Sequence, residues 1–121
     1  MKRFVLSEQE VHPSVRDTIA GYQQDLVAEV RDAVESNDVV VVGMAQNPHV
    51  KKARDLLRQR DLPFAYLEYG SYASAWRRRL ALKMWTGWPT FPMVFVKGTF
   101  VGGHDDLARL AASGELDRLL A

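Results

Sequence analysis

From Pro13 to about Ser36, the apolar residues Val15, Ile19, Tyr22, Leu26, Val30 and the pair Ala33/Val34 recur at gaps of three or four. That spacing predicts an amphipathic helix, and Pro13 suits its first turn. Asn37-Asp38 interrupts the stripe, and the pattern changes to a continuous β-branched run, Val39–Val42. Such a run suits a central strand covered on both faces. A helical pattern returns over about 48–60, with Val50, Ala53, Leu56 and Leu57 on one side. Leu62–Glu68 predicts a second strand, entered through Pro63, and Gly70-Ser71 turns the chain into a third helix over about 72–86. Pro89 and Pro92 bracket a stiff turn. The segment MVFVKGTFVGG then reads as two short strands, 93–97 and 100–102, joined by the tight turn Lys97-Gly98-Thr99. Helices over about 104–112 and 115–120 close the chain, and residues 1–12 read as irregular or weakly helical.

The helix that ends near residue 60 joins two strands, which implies a parallel pair with a right-handed crossover. The closing hairpin adds antiparallel strands. The economical architecture is α/β: a four-stranded mixed sheet with helices on both faces. A chain of 121 residues suits one domain with a real core. Residues 1–37 read as a helical extension packed on a domain that spans 38–121.

Composition narrows the function classes. A net charge of +1 gives no support for a nucleic-acid or membrane-surface role. No apolar run approaches the ~20 residues of a membrane span. Phe4-Val5-Leu6 is too short for the apolar part of a signal peptide, so a cytoplasmic location is expected. The chain has no cysteine. It therefore supplies no disulfide, no catalytic thiolate and no cysteine ligand for zinc or an iron–sulfur cluster. His12, His49 and His104 are the only histidines, and none stands at zinc-motif spacing, so no metal site is read.

Several spaced segments then carry a family resemblance: VVVVG at 39–43, NPHVKKARDLL at 47–57, WPTFPMVFVKG at 88–98 and VGGHDDL at 101–107. From Val39 to about Leu110 the chain resembles a glutaredoxin. WPTFP followed by VGG-x-D is similar to the monothiol, Cys-Gly-Phe-Ser type. The resemblance implies a thioredoxin-like, three-layer α/β/α fold with an added N-terminal helix. It also implies a cleft for glutathione.

Asn47 falls at the family's nucleophilic cysteine, Pro48 and His49 take the middle positions, and Val50 stands at the second cysteine or serine. A thiol at a helix N-terminus is acidified by the helix dipole, whereas asparagine forms no thiolate. Read from its own residues, Asn47 followed by Pro48 is a helix cap and first turn. The family motif places the cis peptide bond at Phe91-Pro92, with the Phe91 backbone pairing to the cysteinyl main chain of glutathione. Read alone, Pro92 also suits a trans turn. Gly103, His104 and Asp105 match the segment that holds the γ-glutamyl end, while Asp105 and Asp106 equally suit the dipole of the following helix. Arg79 falls where monothiol glutaredoxins place a cation for the glycyl carboxylate. Lys83 shares its helix face, whereas Arg77 and Arg78 suit a solvated face. Met44 replaces the lysine that usually precedes the cysteine. His49 and Trp88 are further candidates for the cleft wall.

The expectation is a glutaredoxin-like binding module without redox chemistry and without an intrinsic cofactor. Its ligand would be glutathione, another γ-glutamyl compound or an extended peptide. One alternative is an iron–sulfur or redox role through a partner or an external thiol, although a cluster on this chain is disfavoured. A second is a scaffold with a vestigial cleft whose N-terminal helix makes a homodimer or another protein contact.

Overall fold

The computed structural model describes all 121 residues. Its sheet is built on β1, Val39–Gly43, which is buried along its whole length. Parallel β2, Ala65–Glu68, flanks one edge, with Val41 opposite Tyr66. Antiparallel β3, Met93–Val96, flanks the other, with Val41 opposite Val94. β4, Thr99–Gly102, pairs antiparallel with β3 and completes the order β2-β1-β3-β4. The β3–β4 turn passes through Lys97 and Gly98 at φ values of 50° and 81°. Two successive residues with positive φ match the right-handed twist of a hairpin.

Alternation along the strands divides the core. Val40 and Val42 face a layer that contains Leu26 and Val30 of α2 (Gln24–Ser36) and Leu82 of α4 (Trp76–Thr86). Val39 and Val41 face the other layer. There they meet Ala53 and Leu57 of α3 (Pro48–Gln59), Leu107 of α5 (His104–Ser113) and Leu116 of α6 (Glu115–Leu120). A strand covered on both faces needs apolar side chains at every position, which is why β1 reads VVVV. The expected three-layer α/β/α architecture with a four-stranded mixed sheet is the one observed. No helix is long and apolar enough to cross a membrane.

The stripe from Val15 to Val34 does not form one helix. α1 (Pro13–Gly21) ends at glycine, and Gln23 takes a left-handed conformation at φ 50° before α2 begins. Glycine is a poor helix interior residue, which makes the break at this point inexpensive. Only the second half of the stripe enters the core: Leu26 and Val30 are buried, whereas α1 buries no residue. Two other boundaries shift for local reasons. β2 starts at Ala65 rather than Leu62, because the Leu62 amide donates to Leu57 O in the turn that ends α3. α4 starts at Trp76 rather than near 72. The Ser71–Ser74 turn, closed by the Ser71 amide donating to Ser74 Oγ, precedes Ala75 at φ 58°.

Candidate functional site

Three chain segments meet at the end of the sheet where β1 passes into α3. Asn47 is the N-cap of α3: its Oδ1 accepts from the His49 amide at 2.9 Å and the Val50 amide at 3.1 Å. Pro48 occupies the first turn, where its missing N–H costs no helix bond. Val50 is buried beneath the cap, while His49 is exposed on the outside.

The second segment is the loop that leads into β3. Its Phe91–Pro92 peptide bond is cis, and both residues are buried. The third is the start of α5. The Gly103 amide donates to Asp106 Oδ2 at 3.0 Å, and Asp106 Oδ1 accepts from Arg109 at 2.6 Å, so this carboxylate is engaged within its own helix. Gly102 sits at φ 104°, and a β-carbon there would stand 2.5 Å from Asp106 Oδ2. Only glycine fits both the backbone conformation and the space. Asp105 points outward, with its side chain 82% exposed, and His104 Nδ1 lies 3.0 Å from its Oδ1.

These segments form a groove of about 220 Å³ lined by His49, Trp88, Thr90, Phe91, Pro92, Gly103, His104, Asp105 and Asp106. Trp88 is held behind it by edge-on packing to Phe100, 5.5 Å between ring centroids. Its indole Nε1 is buried beside Gly103 and has no acceptor. The N-terminal turns of two helices border the groove and carry partial positive charge. Two imidazoles and the outward carboxylate of Asp105 complete a surface suited to a ligand with both anionic and cationic ends.

The rim cations expected from the sequence are elsewhere. Arg79 is buried, and its Nη1 donates to the carbonyls of Tyr69 (3.1 Å) and Ser74 (2.5 Å). It pins the loop between β2 and α4 instead of facing the groove. A buried guanidinium must find acceptors, and the nearest are backbone carbonyls of that loop. Lys83 does not line the groove either; its Nζ lies 5.9 Å from the Phe91 ring centroid. Asn47 borders a neighbouring depression of about 470 Å³ between α3 and β2. There the Arg54 guanidinium lies 3.8 Å over the Tyr66 ring, and the Tyr66 hydroxyl donates to Glu68 Oε1 at 2.8 Å. Burial first, then the hydrogen bond to Glu68, pushes the Tyr66 phenol up to about 12. This depression was not legible in the sequence, because Arg54 and Tyr66 meet only once α3 is laid across the sheet. Thr90 and Asp106 were also missed as groove residues; their position next to Phe91 and Asp105 was the available signal.

Comparison with known proteins places the fold. The glutaredoxin family model matches residues 39–101, from the start of β1 into β4. A "Glutaredoxin-like protein" of Dictyostelium discoideum is 48% identical over 103 residues, covering 85% of this chain and 84% of its own. "Glutaredoxin-C4" of Arabidopsis thaliana is 32% identical over 91 residues, covering 75% of this chain and 67% of its own. Among solved structures, oxidised glutaredoxin 2 from Chlamydomonas reinhardtii superposes with a TM-score of 0.70 at 33% identity, over 81% of this chain and 92% of its own. A buckwheat glutaredoxin–glutathione complex shares the fold at a TM-score of 0.73 and 24% identity, over 83% of this chain and 91% of its own.

Proposed function

The chain belongs to the glutaredoxin family, and from that premise we propose that it is a thiol-free binding module that holds glutathione, or a similar γ-glutamyl peptide, without reducing or oxidising it. The observation that carries this reading is the pairing of an inert Asn47 with a formed groove. Asn47 Oδ1 is engaged by two amides of α3. Disulfide exchange requires a thiolate that attacks sulfur, and no side chain of this protein supplies one. The groove beside it nonetheless offers helix-start amides and an outward carboxylate suited to the γ-glutamyl end of such a peptide.

In this reading the first-turn amides of α5 receive the carboxylate of the γ-glutamyl end, and Asp105 receives its ammonium. The Phe91 backbone pairs with the cysteinyl main chain. His49 and the α3 first turn stand beside the ligand thiol, which remains a thiol. The residues do not fit an iron–sulfur cluster held on this chain: the position that would present sulfur presents a carboxamide already bonded to the helix. In this reading the monothiol resemblance of WPTFP and VGG-x-D concerns the backbone of the groove and not the chemistry.

The test combines two measurements on the pure protein. A coupled glutathione-dependent disulfide reductase assay should give the no-protein blank, while equilibrium dialysis with labelled glutathione should show saturable binding. Turnover clearly above the blank, or dialysis without retention at several times a dissociation constant of about 1 mM, would contradict the proposal.

A further inference from the structure

The exposed large apolar side chains of this protein are confined to two stretches, Met1 to Ile19 and Tyr72 to Met84. Two regular rows stand out. On α1, Val15 and Ile19 are four apart and 44% and 56% exposed; on α4, Trp76, Leu80 and Met84 repeat at the same spacing and are 57%, 39% and 59% exposed. Residues four apart share a helix face, so each helix presents an apolar stripe outward. One member of each row, Ile19 and Met84, lines a hollow of about 280 Å³ together with Tyr22, Val27, Ala81 and Trp85. Leu6 lies on the other side of Ile19 and Ala20, in a second depression of about 330 Å³. The patch shares no residue with the groove formed by His49, Phe91 and Asp105.

α1 sharpens the point. It has nine residues and buries none of them. Isolated helices shorter than about 12–15 residues are marginal in water, and packing of an apolar face is what normally stabilises them. An apolar row on such a helix, beside a hollow and a second apolar row, has the form of half an interface.

The charges around the patch decide between occupants. Glu8 and Arg16 line the depression beside Leu6 and Ile19, Arg77 lies 4.7 Å over the Trp76 ring, and Asp25 of α2 faces Arg78 of α4. Both signs are interleaved, and Arg78 already bridges to Asp25 at 3.3 Å. A surface for anionic lipid or nucleic acid carries one sign of charge. A two-fold interface brings the same patch against itself, and a fringe with both signs can place acid opposite base.

We propose that this face joins two copies of the chain across a two-fold axis, with α1 of one copy covering the Trp76–Leu80–Met84 row of its partner. The ligand groove remains open in the dimer.

Sedimentation equilibrium of the full chain tests this, at concentrations from about 1 µM to about 1 mM. The expected result is a monomer–dimer equilibrium with no larger species. Ile19→Asp and Met84→Asp, both at exposed positions, should each raise the dimer dissociation constant at least about tenfold, with unchanged far-ultraviolet circular dichroism and unchanged glutathione binding. Lys52→Glu, on the exposed side of α3, should leave it unaltered. A wild-type chain that stays monomeric at the top concentration would overturn the proposal. So would open-ended assembly, or aspartate variants that dimerise as well as the wild type. Co-sedimentation of a monomeric chain with phosphatidylserine vesicles would assign the face to lipid instead.

Discussion

At Asn47 one side chain caps α3, at the position that the proposed function aligns with the family's nucleophile. The cap satisfies two of the amides that an α-helix start leaves without partners. Replacement by alanine removes both bonds, and Asn47→Ala should lower stability by about 1 kcal/mol. A urea midpoint that does not move would show that water caps α3 equally well. Arg79 makes the contrasting case. Its guanidinium is buried and joined to two loop carbonyls, so Arg79→Ala leaves those carbonyls unsatisfied and a hole beside Gly70. The expected cost is about 2 kcal/mol or more in chemical denaturation. Glutathione affinity should stay within about twofold, because the side chain does not face the groove. A large loss of affinity with little loss of stability would return Arg79 to the binding surface. The sequence placed Arg79 correctly on its helix. It had no means of showing which way a buried cation turns, since its acceptors are backbone groups that every residue carries.

The elements differ in how clearly the sequence declares them. β1 was legible because four β-branched residues in a row suit few environments other than a doubly covered strand. α3 was legible at its start, where Asn47 and Pro48 combine two independent helix signals. The division between α1 and α2 was not, since Val15, Ile19, Tyr22 and Leu26 keep helical spacing straight through the break. A periodic stripe reports a shared face and is silent about a change in direction. The tyrosines that fasten elements together give a prediction at this scale. Tyr66 ties β2 to α3, and the Tyr69 hydroxyl donates to Glu29 of α2. Burial, followed by these carboxylate partners, raises both phenols in the fold, Tyr66 to about 12. The unfolded chain loses these protons near the ordinary value of 10 while the folded protein retains them. Their contribution is therefore complete below about pH 10 and is lost as pH rises through the folded values. Denaturant midpoints should fall above about pH 10, and phenolate absorbance should appear in the unfolded protein before the native one. Coincident native and unfolded phenolate titrations would contradict the burial of both groups.

For the molecule as a whole, a glutaredoxin-family fold without a cysteine carries a groove at the end of its sheet. The two layers of core, the cis Phe91–Pro92 loop and the capped start of α5 all act to position one groove. The most direct measurement of whether that groove still receives glutathione is an amide nuclear magnetic resonance titration of the labelled protein. We expect saturable shifts at His49, Thr90, Phe91 and Gly103–Asp105, with a dissociation constant of about 1 mM, equivalent to about −4 kcal/mol. Affinity should weaken as salt rises, because helix-end charge and an anionic ligand group are screened. Amides around Arg79 should stay still. No shift anywhere at several millimolar glutathione, or shifts centred on Arg79 and Lys83 instead, would contradict the account.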